Sequence, residues 1–219
     1  MNNYKITLLF LFVLIRFSGM GQSYSEILGR PTDSAITMNV MFDRDMDIYW
    51  ELGTASGVYT RSTPTYAVLD SVPLEVDFTG LTTNTKYYYR IRYRQTNSGA
   101  SFSSGPEHVF RTRRPRGSSY SFAITADPHL DTNCIESSYL LTLQNILSKN
   151  VDFMIDLGDN FLSEKYIATP GSQTLIPHYQ DTIKYRTVLF RKFYGMLCHS
   201  APLFLTIGNH EGCLLYTSP

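Results

Sequence analysis

The sequence predicts a multi-domain β + α/β fold, in which an N-terminal β-sandwich precedes an α/β domain, and three observations lead to this class. Between Ser23 and Thr112, short runs of β-branched and aromatic residues alternate with turn residues. A stretch containing proline and glycine, Arg113–Ser119, then suits a linker. After it, strand-like and helix-like patterns alternate, which indicates a parallel sheet. The predicted parts are therefore a sandwich at 23–112, a linker at 113–119 and an α/β domain at 120–219.

The beginning of the chain predicts a cleaved signal peptide at 1–21. Lys5 supplies a positive charge, Ile6–Ile15 is an apolar run, and Gly19–Gly21 offers small residues for cleavage. This run is too short to cross a hydrocarbon core of about 30 Å. We therefore expect no membrane span, a mature protein that begins at Gln22, and a secreted or periplasmic location.

The sandwich is predicted from regularly spaced strands separated by turns. These strands are Ile36–Phe42, Asp47–Leu52, Gly57–Ser62, Leu74–Phe78, Tyr87–Arg94 and Glu107–Thr112. Because side chains alternate across a strand, one set in the fifth strand is expected to face the core. That set is Tyr87, Tyr89, Ile91 and Tyr93. The segment with Leu81, Thr85 and Tyr87 resembles the tyrosine corner of fibronectin type III-like domains. The tryptophan usual on an early strand of those domains is absent, and Trp50 is expected to take its place in the core.

The α/β part is predicted as three strands and two helices. The strands are the apolar runs Tyr120–Thr125, Val151–Leu157 and Pro202–Ile207. The helices, Asn133–Lys149 and Thr182–Cys198, have apolar residues at three- and four-residue spacing, which is typical of an amphipathic helix. The first of them has an apolar stripe that begins at Ile135. The stretch 162–178 is predicted to be a long loop near the site.

A polar cluster directly follows each of these three strands. The clusters are Asp127-Pro-His129, Gly158-Asp159-Asn160 and Gly208-Asn209-His210-Glu211. Each alone is ordinary turn chemistry. In an open α/β sheet, however, ligands bind at the carboxyl ends of the strands. Three clusters at three strand ends therefore predict a single site.

The residue types in these clusters suit metal-assisted phosphoester hydrolysis. Asp127 and His129 alternate across Pro128, so an extended backbone would direct both side chains at one ion. Asp159 could bridge two ions, and a divalent pair about 3.5–4 Å apart can clamp a phosphoryl group. Mixed oxygen and nitrogen donors favour manganese, iron or zinc. Asn209 offers a neutral oxygen, while His210 could bind a metal, contact phosphate or act as an acid.

The three clusters in this order resemble the motifs of the calcineurin-like metallophosphoesterases. The surrounding segments FAITADPHLD, DFMIDLGDNF and PLFLTIGNHE also resemble that family. The resemblance implies that Asp127 and His129 bind the first of two divalent metal ions and that Asp159 bridges both. It also implies that Asn209 binds the second ion and that His210 is catalytic, contacting the phosphate of a phosphoester substrate.

A β-sandwich before such a domain resembles the arrangement of purple acid phosphatases. Those enzymes carry glycine at the position of His129 and tyrosine at the position of Leu162, so a colourless metal pair is expected here. The family also supplies further histidine ligands from later strands. This chain has five histidines and none after His210. We therefore expect a C-terminally truncated fragment that is inactive alone.

Composition limits the other possible functions. Lysine and arginine number 19, and aspartate and glutamate also number 19. There is thus no basic excess of the kind that marks a nucleic-acid partner. The arginine-rich stretch 111–116 is predicted to be a solvated linker rather than a phosphate contact. The alternative to an enzyme is a non-catalytic exported protein whose sandwich docks a carbohydrate or protein.

Overall fold

The computed structural model describes residues 24–130, 135–161 and 179–211. The predicted signal peptide, the predicted loop at 162–178 and Leu162 lie outside the described residues. Among the helices within those ranges, none combines the length and apolar character needed to cross a membrane.

The first part of the chain is a sandwich of two antiparallel sheets. One sheet has the order β1-β2-β6, and the other has the order β4-β3-β7-β8, with β5 paired to β3 and β9 paired to β7. The strands are β1 Tyr24–Gly29, β2 Ile36–Phe42, β3 Met46–Gly53, β4 Arg61–Ser62, β5 Tyr66–Val68, β6 Leu74–Phe78, β7 Lys86–Gln95, β8 Ser103–Ser104 and β9 His108–Arg111. The prediction missed β1, β5 and β8. It was also wrong in extending β4 back to Gly57, which lies in a turn with φ of +71°.

The sandwich core confirms the pattern predicted for β7. Tyr87, Tyr89 and Ile91 are buried, while Tyr93 is partly buried against the same cluster. Trp50 is completely buried in this core, as expected. The Tyr87 hydroxyl accepts a hydrogen bond from the backbone N–H of Thr82 at 2.8 Å. This bond forms the tyrosine corner, and the sandwich is fibronectin type III-like.

The second part is a parallel sheet with helices packed against it. Its strands are β10 Phe122–Thr125, β11 Phe153–Asp156 and β12 Leu203–Leu205, and its helices are α1 Glu136–Ser148 and α2 Tyr179–Gly195. The strand order β10-β11-β12 places β11 in the centre. The core includes Tyr139 and Leu143 of α1 and Phe193 of α2. The prediction that Ile135 begins the apolar stripe of α1 is wrong. Ile135 precedes the first helical turn, and its side chain is 68% exposed.

The end of α2 packs against the sandwich. Leu28 of β1 donates its N–H to the carbonyl of Cys198 at 2.8 Å. The hydroxyl of Tyr89 donates to the carbonyl of His199 at 2.6 Å. Gly195 lies close to Ser25 of β1, and a Cβ atom at Gly195 would stand 3.2 Å from the Ser25 Cβ. These contacts hold the end of α2 and the turn that follows it against the sandwich.

Candidate metal centre at the ends of the parallel strands

The three predicted clusters emerge at one edge of the sheet. Thr125 at the end of β10 pairs with Asp156 at the end of β11, and Asp156 pairs with Leu205 at the end of β12. Because the strands are parallel and end in register, the segments that follow them lie side by side. The structure therefore brings the three clusters together, as the sequence predicts.

The backbone of the first cluster runs alongside the backbone of the second and is hydrogen-bonded to it. Asp127 donates its N–H to the Gly158 carbonyl at 3.1 Å, and His129 donates to the Asp159 carbonyl at 3.4 Å. The expected extended backbone is wrong, since Asp127 and His129 have φ angles of +55° and +45°. The two side chains nevertheless approach each other, with 3.6 Å between His129 Nε2 and Asp127 Oδ1. This distance follows from a left-handed loop rather than from strand alternation.

Three side chains offer ligand atoms around a common point. One nitrogen or oxygen from each of His129, Asp159 and His210 lies within 4.8 Å of the others. The two imidazole rings stand edge to face, with their centroids 5.2 Å apart. His129 Nε2 is buried and makes no hydrogen bond. A buried nitrogen without a hydrogen bond is costly unless something else binds it, so these donors fit a divalent metal ion.

The two remaining predicted ligands lie at the rim of this cluster. The side chain of Asp127 is 66% exposed, and its carboxylate faces His129. Asn209 begins a short 3-10 helix, Asn209–Glu211, and is exposed beside His210. The structure thus groups His129, Asp159 and His210 most closely, with Asp127 adjacent and Asn209 at the edge.

The position of Asp159 depends on close backbone packing between the second and third clusters. The N–H of His210 donates to Asp159 Oδ1 at 2.9 Å. A Cβ atom at Gly208 would collide with the Asp159 carboxylate, and one at Gly158 would collide with the backbone of Gly208. Gly158 also has a φ of +87°, which favours glycine. Both glycines are therefore needed for the two clusters to meet.

Glu211 is a residue of the site to which the sequence alone gave no role. Its carboxylate accepts hydrogen bonds from the N–H groups of Asp159 at 2.9 Å, Gly208 at 2.8 Å and Asn160. Its place at the end of the third cluster was the available signal. Only the fold shows that it reaches across to the second cluster.

Asp156, a buried carboxyl side chain at the end of β11, is hydrogen-bonded to the second cluster. It is completely buried and accepts hydrogen bonds from the Gly158 N–H at 2.8 Å and the Thr125 hydroxyl at 3.1 Å. The Tyr194 hydroxyl lies 3.1 Å from Asp156 Oδ2 and 3.0 Å from Asn160 Oδ1. Burial raises the pKa of Asp156, and these hydrogen bonds act in the opposite direction. No motif in the sequence indicated Tyr194, which reaches the site from α2.

The same part of the chain matches a known family. Residues 120–218 match the profile of the calcineurin-like phosphoesterases. This α/β region is therefore similar to that family. The predicted resemblance is thus confirmed for the region that carries the three clusters.

Two solved structures share the arrangement of the calcineurin-like region and its preceding sandwich. The structure of PhoD superposes with a TM-score of 0.57 and 13% identity, over 85% of this chain and 38% of that one. The purple acid phosphatase PPD1 from yellow lupin (Lupinus luteus) seeds gives a TM-score of 0.60 and 18% identity, over 85% of this chain and 35% of that one. These similarities show a shared fold, and this chain spans little more than a third of either protein. A comparison with curated protein sequences found no match.

Proposed function

We propose that this chain is part of an exported, metal-dependent phosphoester hydrolase with a dinuclear metal centre. The observation that carries the proposal is the convergence of His129, Asp159 and His210 within 4.8 Å at the ends of the parallel strands. The calcineurin-like family match supports it. In this proposal Asp127 and His129 hold the first ion, Asp159 is shared, and Asn209 contributes to the second.

Manganese, iron or zinc would supply the charge that binds the phosphoryl group and would lower the pKa of a bound water. His129 presents its buried Nε2 to this region. The ring of His210 stands beside it, where it could contact a phosphate oxygen and donate a proton to the leaving oxygen. The backbone N–H of His210 donates to Asp159 Oδ1, which ties the backbone of the proposed phosphate-contacting residue to the carboxylate that would be shared. The exposed side chain of Asp127 leaves one side of the site open to substrate.

The decisive test is Asp159→Ala in the full-length protein. Removing a carboxylate shared by two ions should abolish hydrolysis of an aryl phosphate in the presence of Mn²⁺. Glu136→Ala is the matched control, because Glu136 is an exposed acidic residue in the first turn of α1. Retained activity in Asp159→Ala would contradict the proposed site, whereas a wild-type protein without any activity would favour the non-catalytic binding protein.

The proposal also covers the boundaries of the chain. We place the mature N terminus at Gln22 and the two domains at 23–112 and 120–219, and the 219-residue chain is expected to be inactive alone. N-terminal sequencing of exported protein should begin at Gln22, and an intact Met1 would refute export. Elemental analysis of the purified chain should find at most one loosely bound metal ion, since only part of the ligand set expected for the family is present. Two tightly bound ions would refute that expectation.

A further inference from the structure

The carboxylate of Glu211 occupies a point where backbone donors from two clusters converge. Asp159 and Asn160 supply two N–H groups, and Gly208 supplies the third. Hydrogen bonds to an ionised acceptor are about twice as strong as those between neutral groups. One side chain therefore joins the end of β11 to the end of β12.

The loop that Glu211 binds has a backbone conformation that needs external support. Asp159 has a φ of +56°, a left-handed value that is uncommon for residues other than glycine. Gly158 and Asn160 are bonded from below by Asp156, and Tyr194 lies within 3.0 Å of Asn160 Oδ1. Glu211 binds the N–H groups of Asp159 and Asn160, so the residue that carries the shared carboxylate lies between two carboxyl side chains, those of Asp156 and Glu211.

We propose that Glu211 is a positioning residue that sets the place of the Asp159 carboxylate, and this rests on the proposed metal centre. Glu211 itself binds backbone N–H groups rather than metal or substrate. Its loss would let the 158–160 loop relax and would separate Asp159 from His129 and His210. Outer groups that orient metal ligands typically change metal affinity by about 10- to 100-fold when they are removed.

Glu211→Gln tests this role with little change in size. One carboxylate oxygen becomes an NH₂ group, which cannot accept a hydrogen bond and would face a backbone donor. The matched control is Glu107→Gln in the sandwich. Glu107 also accepts a backbone N–H, from Gly57 at 2.8 Å, together with the hydroxyls of Ser56 and Tyr59. It has the same chemistry as Glu211 but belongs to the other part of the fold.

Two measurements on the 219-residue chain separate positioning from general stability. Hydrogen exchange followed by NMR in the absence of metal should show faster exchange at the amides of Asp159, Asn160 and Gly208 in Glu211→Gln. The amide of Ile91 in the sandwich core reports whether the variant remains folded. Electron paramagnetic resonance of added Mn²⁺ should give a dissociation constant about 10- to 100-fold weaker than that of the wild type. The Glu107→Gln variant should match the wild type in both measurements.

Each outcome has a distinct meaning. Unchanged exchange at the three amides would overturn the proposal that Glu211 holds these N–H groups in place. Faster exchange with Mn²⁺ affinity within twofold of the wild type would reduce Glu211 to a structural residue and would overturn its positioning role. A wild-type chain that binds no Mn²⁺ would overturn the positioning role, because Asp159 would then hold no ion whose affinity depends on Glu211. If Glu211→Gln does not fold, Glu211→Asp provides the same test, because a carboxylate one methylene shorter cannot reach all three N–H groups.

Discussion

Glu26 of β1 offers a test of the electrostatics at the junction between the two parts of the protein. Its side chain is only 1% exposed, and the Trp50 indole N–H donates to Oε1 at 2.7 Å. The other oxygen makes no hydrogen bond and lies 3.8 Å from His108 Nε2. Burial raises the pKa of this carboxyl group from 4.5 to about 7, although the bond from Trp50 opposes the change.

This pKa has a direct consequence for stability. The folded protein holds the Glu26 proton more tightly than the unfolded chain does. Protonated Glu26 therefore makes its full contribution to the free energy of unfolding below pH 4.5, and this contribution is lost as the pH rises through about 7. At pH 8, ionising Glu26 in the folded protein costs about 3 kcal/mol more than in the unfolded chain. Glu26→Gln removes that cost and keeps an oxygen for the Trp50 N–H. An NH₂ group without a partner would cost about 1 kcal/mol, which leaves a net gain of about 2 kcal/mol.

Urea denaturation at several pH values should reveal this gain. We expect Glu26→Gln to be more stable than the wild type at pH 8 and to lose its advantage by pH 4. Glu75→Gln is a control on the same sheet, where an exposed carboxylate is bonded to Asn39 and Arg30 and has a lowered pKa. Equal stability of Glu26→Gln and wild type at pH 8, or an advantage that grows towards acid, would refute the reasoning.

Two histidines near Glu26 should determine how the stability of the protein changes at acid pH. His108 and His199 stack with ring centroids 3.8 Å apart. Burial lowers the pKa of His108 to about 3, with a contribution from His199, and lowers that of His199 to about 4. Folded-state pKa values below the ordinary 6.5 mean that stability falls as the pH drops from about 6.5 towards 4. The other groups facing this pair are Glu26, which is protonated in that range, and Tyr89.

Two further substitutions test the fold and the site. Tyr87→Phe removes the hydroxyl that accepts a hydrogen bond from the Thr82 N–H. In urea denaturation the free energy of unfolding should therefore fall by about 1 kcal/mol. An unchanged midpoint would contradict the stabilising role of the tyrosine corner. Gly208→Ala should abolish Mn²⁺ binding measured by calorimetry, because its Cβ would collide with Asp159. Gly29→Ala is the control and should bind Mn²⁺ normally, because the nearest atom to its Cβ would be the Leu203 carbonyl oxygen at 3.9 Å. Normal binding by Gly208→Ala would show that the two clusters do not need this close approach.

The sequence predicted most of the longer strands because they have strong periodicity, but it missed the six-residue strand β1. β2 and β6 have the predicted bounds, and the alternation in β7 correctly separates core from surface. The short strands β5 and β8 have three and two residues, which is too few for a pattern. They form because β3 and β7 offer hydrogen-bonding edges, and that condition is set by the tertiary structure.

The sequence could predict that the three clusters meet, but not which other residues hold them in place. Asp127, His129 and Asp159 could be singled out because each follows an apolar strand, and the predicted convergence holds. Tyr194 could not be identified in this way, since an aromatic residue on the buried face of α2 is ordinary core composition. Its role follows from the tertiary packing of α2, which brings its hydroxyl to Asp156 at the end of β11.

The sandwich contributes to the geometry of the site through α2. Gly195 lies against Ser25 of β1, and the adjacent residue, Tyr194, reaches Asp156 and Asn160. A larger side chain at Gly195 would therefore push the helix away from the sandwich and move the Tyr194 hydroxyl at the same time. Because Asn160 directly follows Asp159, that displacement would reach the loop that carries Asp159. The packing of the two parts of the protein and the geometry of the candidate metal centre thus depend on the same turn of one helix.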